Sequence, residues 1–361
     1  MKGNAWKMRY RVKFWSVYMV DLENATRRPL RAVYSTIDGN ELRDFIASTY
    51  PFEPALTCGL LRRGFNDVYD LRFADGRRSV ARLSSRRARG ESNVSYETSL
   101  LFHLKTLGGH VAAPIRTNTG ALSIEVDTAE GHRSLVIFEF LAGDPPGVAL
   151  RDVRTMAASL ANLHRLAQTY SGPASKYVLN VDHLINRPLQ RLLDHSSMDE
   201  VLEGRLRSVA SVLIEKIEAA TQLTTVACHG DCHGGNTFMT DSSDGSRIAS
   251  FFDFDDGGPG YLAYDLAVYL WANLLNTKES ELDAEQLERW KSFIEGYRES
   301  SPLSSSDFTA IAPFVSARHF WFLGEYASRS DEWGSAVLPP KWLHKQVDKL
   351  ERWKTLETPE V

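Results

Sequence analysis

Between residues 56 and 142 hydrophobic and polar positions change places every second residue in short runs, and beyond that a helical period takes over. Residues 68–73 alternate up to a turn at Asp75-Gly76, and 79–83 returns as a partner strand, so a hairpin is predicted there, entered from Leu60-Leu61. Two more strand-like runs cover 122–126 and 134–140, the second running into the breaker-rich stretch Ala142-Gly143-Asp144-Pro145-Pro146. Tyr96, Leu100, Leu101, Leu104 and Leu107 recur at helical spacing between the two pairs of strands, and Gly108-Gly109 closes that helix. Upstream, residues 40–46 predict a short amphipathic helix that stops before Pro51.

Further helices are predicted over 153–167, 184–193, 201–223, 279–297, 308–329 and 342–353; the first carries Met156, Leu160, Leu163 and Leu166 on one face, with His164 read as a packed or capping histidine. Strands first and helices afterwards predict an α+β chain of two lobes. The 361 residues exceed what a single core of about 250–300 residues accommodates. The expected division is an extension with a short helix over 1–55, a β-rich lobe over 56–142 and a mostly helical lobe over 143–361. No internal repeat or low-complexity tract interrupts it.

Composition narrows the partners. A chain with 43% hydrophobic and 24% charged residues is an ordinary globular protein, and its net charge of -4 argues against nucleic acid, so any anion it binds must be met by local charge. Three cysteines, Cys58, Cys228 and Cys232, are too few for a disulfide framework and fit a reducing, cytoplasmic setting. No apolar run has the length of a membrane span. Residues 1–13 hold five basic residues and no acid, and the apolar run at 14–20 is brief for a signal-peptide core; the segment reads as an extension, with Met19 as an alternative start. Arg86, Arg87 and Arg89 read as a solvated loop.

Chemistry concentrates in residues 226–271. A strand at 226–228 leads into a loop at 229–235, and strands at 236–240 and 248–253 pair across a turn at 241–246. That hairpin brings Asn236 and Asp253 to one end, where a carboxylate and an amide oxygen suit Mg²⁺ with water and phosphate completing its shell. Asp231 stands one loop away, placed to receive or orient a hydroxyl proton, which is the division of labour of phosphoryl transfer. His233 and Asp255 flank these groups and touch either acceptor, metal or only the protein. Gly64 in Arg63-Gly64-Phe65-Asn66 permits close backbone approach to phosphate, Arg82 lies on the returning strand, and Glu97 on the next helix would pair with it if the two elements pack together. Three rival readings fit less well. The gap between Cys228 and Cys232 matches neither the zinc nor the haem spacing; Gly257 breaks a calcium loop begun at Asp253; and Asp253-Phe254-Asp255 lies late in the chain for a dehalogenase-type phosphatase.

His229-Gly230-Asp231-Cys232-His233-Gly234-Gly235-Asn236, followed by Phe252-Asp253 and Asp265-Leu266-Ala267, strongly resembles the aminoglycoside phosphotransferase and choline kinase-like family, over residues 56–355. The resemblance implies a bilobal protein kinase-like fold and an ATP- and Mg²⁺-dependent transfer of the γ-phosphate to a hydroxyl. It implies that Asp231 is catalytic, that Asn236 and Asp253 bind Mg²⁺, and that His229 and Asp265 support the catalytic loop. Arg82 and Glu97 resemble the phosphate clamp and its helix partner; Gly64, Phe65 and Asn66 would cover the nucleotide, with the adenine hinge at 138–141, including Glu139 and Leu141. Arg82 stands where antibiotic kinases carry lysine. The His-Gly-Asp-Cys-His form is also similar to a bacterial stress-response protein kinase, so the acceptor is either a small molecule, cationic if an acidic pocket takes it, or a protein. A catalytically inactive nucleotide-binding scaffold is the reading of another class, and intact Asp231, Asn236 and Asp253 argue against it. Acceptor contacts are expected from the helical lobe around Trp271, Trp321, Phe322 and Trp333, with Glu325, Asp331 and Glu332 as acidic candidates.

Overall fold

The computed structural model describes residues 30, 32–85, 93–242, 245–275, 277 and 281–361. The basic start of the chain, the apolar run at 14–20, Met19, and Arg86, Arg87 and Arg89 lie outside them.

Five antiparallel strands form the N-terminal sheet: β1 (Thr57–Arg63), β2 (Asn66–Arg72), β3 (Arg78–Ser84), β4 (Ile124–Thr128) and β5 (Gly131–Glu139), in the order β1-β2-β3-β5-β4. Successive side chains on a strand point to opposite faces, and both faces of this sheet are covered. Leu135 and Ile137 of β5, with Ala81 and Leu83 of β3, pack under α1 (Gly39–Thr49) through Leu42 and Ile46. Val136 and Phe138 point the other way, into the core shared with α2 (Val94–Thr106) and the helical region. The same alternation turns Arg82 away from α1 and toward the cleft.

Helix α1 is capped by Asp38, whose side chain accepts from the backbone N–H groups of Asn40 and Glu41. Helix α2 ends at Gly108, whose φ of +83° is the left-handed conformation that glycine adopts freely. The second hairpin is shifted from its expected place: β4 starts at Ile124 because that register pairs Ile124 with Leu135 and drops Val126 onto the core under α1.

The C-terminal region is built from α3 (Leu150–Ala167), α4 (Arg187–Leu193), α5 (Glu200–Ala219), α6 (Leu262–Leu274), α7 (Ala284–Ser300), α8 (Ser305–Ala327), α9 (Ser330–Trp333) and α10 (Pro340–Trp353). A short π-helical turn, Asp182–Asn186, precedes α4 where the expected helix at 184–193 begins. Helix α6 is buried on nearly every side, and each fully buried leucine on it contributes about 2 kcal/mol of transfer free energy. Helix α7 starts later than the periodicity suggested, because Asp283 and Gln286 form a reciprocal capping box there. Helix α8 runs unbroken to Ala327, close to the expected end at 329, and the chain re-enters a short helix as α9. Two small ribbons join the regions: β6 (Thr225–Cys228) pairs with β9 (Gly258–Tyr261), and β7 (Thr237–Asp241) with β8 (Arg247–Phe251). The strand at 258–261 is an addition to the sequence reading, hidden by its Gly-Pro-Gly composition. Sheet-rich N-terminal and helical C-terminal regions together make the expected α+β architecture.

Candidate active site

The loop from Cys228 to Asn236 is held from behind by one carboxylate. Asp265, fully buried in the first turn of α6, accepts from the backbone N–H of His229 at 2.9 Å and of Gly230 at 2.8 Å. Its Oδ2 also lies 2.9 Å from His164 Nε2, and His164 Nδ1 lies 2.9 Å from the Tyr297 hydroxyl. Burial pushes the Asp265 carboxyl up, but the His164 bond and the neighbouring charge outweigh it and hold it below the usual carboxylate range. His164, a packed histidine in the sequence reading, is therefore tied into the loop's support. Gly230 has a φ of +84°, and a Cβ there would meet the Asp256 carbonyl oxygen at 2.2 Å, so the turn admits only glycine. Asp265→Asn places an amide against those backbone donors; a loss of about 2 kcal/mol is expected by denaturant titration, with activity falling alongside.

The turn this brace creates presents Asp231. Its Oδ1 accepts from Arg318 Nη2 of α8 at 2.5 Å, and Asn236 Nδ2 donates to its Oδ2 and to its backbone oxygen, both at 3.0 Å. His233 Nε2 lies 3.5 Å from Oδ1. Burial would raise the Asp231 carboxyl, yet the Arg318 guanidinium, His233 and His229 hold it well below the usual range, so it stays ionised. His229 itself is buried, stacked on Phe254 at 4.2 Å with Nε2 3.1 Å from the Phe252 carbonyl oxygen, which fits its support role.

Asn236 lies in a 3-10 turn, Gly234–Asn236, just before β7, and Asp253 two residues past the end of β8. The strands meet as expected, but the two functional side chains sit on their flanks. Asp253 takes a left-handed conformation (φ +66°, ψ 58°), a strained choice for a non-glycine residue that turns its carboxyl into the cleft, where 42% of the side chain is exposed. Partial loss of water in the cleft and the nearby Asp255, Asp256 and Glu97 raise it to about 7 against the pull of Arg82. A carboxylate crowded in this way is relieved by a bound cation. With the Asn236 amide nitrogen committed to Asp231, its oxygen faces the other way, and one carboxylate with one amide oxygen is a donor set that fits Mg²⁺. Among the described residues no group of three or more His, Cys, Asp or Glu is arranged to hold a metal.

Across the cleft, Arg82 forks onto Glu97, Nη1 to Oε1 at 2.7 Å and Nη2 to Oε2 at 2.5 Å, with 5% and 2% of the two side chains exposed. Arg82 Nη1 is also 3.7 Å from Asp253 Oδ1, which ties the sheet to the loop that carries Asp253. The β1–β2 turn reaches the same region. Asn66 Nδ2 donates to Asp255 Oδ2 at 2.8 Å, and its Oδ1 accepts from the Ser85 N–H at 3.1 Å; Asp255 is thereby a bridge between turn and loop. Phe65 packs on Trp333 (5.1 Å between centroids) and Tyr326 (5.7 Å), and its carbonyl oxygen accepts from Arg329 Nη2 at 3.2 Å. Gly64 forms the turn itself, its N–H donating to the Asn66 carbonyl at 3.1 Å. Glu139 closes β5 and pairs with Lys105 at 2.6 Å, while Leu141, just beyond, packs on the core.

Arg318 was invisible to the sequence reading. It and His319 are the only basic residues between Asp307 and Glu325, and a cation within so apolar a helix needs a partner, which was the available signal. Trp271 and Trp321 flank its guanidinium at 5.0 and 4.3 Å. Of the acidic acceptor candidates, Glu325 is paired with Arg191 at 2.7 Å and Glu332 with Arg329 at 2.7 Å.

Residues 60–303 match the phosphotransferase enzyme family, and the chain belongs to that family. An uncharacterized protein of Deinococcus radiodurans is 33% identical over 91% of this chain and 93% of its own length. Stress response kinase A of Escherichia coli is 23% identical over 81% of this chain and 86% of its own. Among solved structures, a microcompartment-associated aminopropanol kinase superposes with a TM-score of 0.69 at 21% identity, covering 87% of this chain and 97% of that one. The protein is accordingly a phosphotransferase on a protein kinase-like fold. No helix among the described residues is long and apolar enough to cross a membrane.

Proposed function

We propose that the protein transfers the γ-phosphate of ATP to a hydroxyl of a small molecule, between a nucleotide lobe ending near residue 142 and a helical acceptor lobe. The observation that carries this is the meeting of two sets of groups in one cleft: Arg82 with Glu97 on the sheet side, and Asp231, Asn236 and Asp253 on the loop side, with Arg82 Nη1 3.7 Å from Asp253.

Asn236 and Asp253 would hold Mg²⁺, which supplies charge neutralisation on the phosphates. Arg82, fixed by Glu97, directs its positive charge at phosphate oxygens. The β1–β2 turn covers the nucleotide through the backbone of Gly64 and Phe65, and Glu139 and Leu141 offer backbone groups to the base. Asp231, kept ionised by Arg318, accepts a hydrogen bond from the acceptor hydroxyl and aligns it for in-line attack; it takes the proton as the O–P bond forms. His233 sits beside it as a second contact for the acceptor. Because Glu325 and Glu332 already carry arginines, an acidic pocket for an amine is not assembled from them.

ADP release with Mg·ATP, screened against amino alcohols, choline, aminoglycosides, macrolides, sugars and a generic protein, tests the reading. Stimulation by one of the small hydroxyl compounds is expected, and stimulation by the protein alone would replace the reading with a stress-response-type Ser/Thr protein kinase. Arg82→Lys keeps a cation beside Glu97 but loses the fork. It is expected to raise the ATP KM about tenfold, a loss of about 1.4 kcal/mol, with kcat changed less; unchanged kinetics would remove Arg82 from phosphate binding.

A further inference from the structure

The turn proposed to cover the nucleotide is gripped from outside by a residue upstream of α1. Arg63 and Asp67 are cross-strand partners at the last pair before the turn. Tyr34 touches both: its hydroxyl donates to Asp67 Oδ1, and the Arg63 guanidinium lies 4.5 Å over its ring. Arg133 of β5 completes the arrangement from the sheet, 5.1 Å from the same ring and 3.0 Å from Asp67 Oδ2, with only 2% of its own side chain exposed. Arg133 also donates to the backbone oxygen of Ser35 at 3.0 Å, and Ser35 Oγ donates to Glu130 Oε2 at 2.5 Å, so the segment carrying Tyr34 is fastened at the very next residue.

We propose that Tyr34 is a positioning residue for nucleotide binding: by joining Arg63 to Asp67 it sets the shape of the β1–β2 turn that faces the phosphates. The proposal rests on the ATP-dependent reading above. A two-residue turn has little internal stiffness, and the backbone N–H groups of Gly64 and Phe65 serve a phosphate only when both strand ends are fixed. On the β2 side Asn66, next to Asp67, is tied to Asp255 and Ser85, so displacement of Asp67 would be passed to the metal-side loop as well. Tyr34 touches none of the reacting groups and acts only through the turn.

Calorimetry with Mg·ATP and with adenosine separates this role from simple packing, because adenosine lacks the phosphates the turn would cover. Tyr34→Ala is expected to weaken Mg·ATP about tenfold while adenosine binding stays within about twofold of wild type. Tyr34→Phe keeps the ring between the two guanidinium groups and loses only the Asp67 bond, so a change of about threefold is expected, again confined to Mg·ATP. Unchanged Mg·ATP affinity in both variants overturns the proposal, as does an equal loss for both ligands accompanied by a lower melting temperature. If the alanine variant does not fold, wild-type affinity in Tyr34→Phe overturns it. A wild-type protein that binds adenosine and Mg·ATP equally would instead overturn the nucleotide reading on which the proposal stands.

Discussion

Asp231→Asn is expected to slow phosphoryl transfer by about 10³-fold while Mg·ATP affinity stays within about threefold of wild type. Asparagine is the informative substitution because Arg318, 4% exposed, donates to Asp231 at 2.5 Å. An amide oxygen can still accept that bond, though without the charge, whereas alanine leaves a buried guanidinium with no acceptor at all and costs about 3–5 kcal/mol of stability. The asparagine variant keeps the Arg318 bond while removing the charge that receives the acceptor's proton, and its amide nitrogen meets Asn236 Nδ2 where Oδ2 stood. Stopped-flow or ADP-release assays at saturating ATP would measure it; turnover within tenfold of wild type would take the role away from Asp231. Alanine should in addition lower the unfolding midpoint, and equal stability of the two variants would contradict the Arg318 pairing.

Asp253→Asn carries the second large effect. It removes the negative charge offered to the cation, and kcat/KM for ATP is expected to fall about 10²-fold, with loss of the tightening that Mg²⁺ gives to ATP binding. The pH dependence has a definite sign. In the metal-free protein desolvation and the neighbouring acids push the Asp253 carboxyl up to about 7, so at lower pH a proton competes with the cation, and at higher pH the site is charged. Mg·ATP affinity of the wild type should weaken as pH falls through 7, beyond whatever ATP itself contributes. The asparagine variant reports that contribution, since it has no proton to lose. Parallel pH profiles for the two proteins would show that Asp253 does not face the metal.

How far these groups could be read in advance depended on the sequence distance of their partners. The catalytic loop is a local object, with Asp231, Asn236 and the glycines of one turn inside a few residues, and its spacing announced it. The Arg82–Glu97 pair was legible conditionally, because a strand and the helix after it have few ways to pack. Asp253 follows the hairpin at the end where Asn236 lies, but its left-handed backbone leaves no mark in the local sequence. Arg318 meets Asp231 across 87 residues of chain, and Tyr34 meets Asp67 across 33. Such contacts are decided by helix and segment docking rather than by periodicity. The shifted starts of β4 and α7 have the same origin at smaller scale, in cross-strand register and a capping box that outweighed the hydrophobic pattern.

Helix α8 touches the site twice, through Arg318 on Asp231 and, just past its end, through Arg329 on the carbonyl of Phe65. Eleven residues separate the two arginines, about 16 Å at helical rise. Under the proposed reading a single helix thus holds both halves of the site, and any change in how α8 docks would move the Asp231 carboxylate and the turn over the phosphates together.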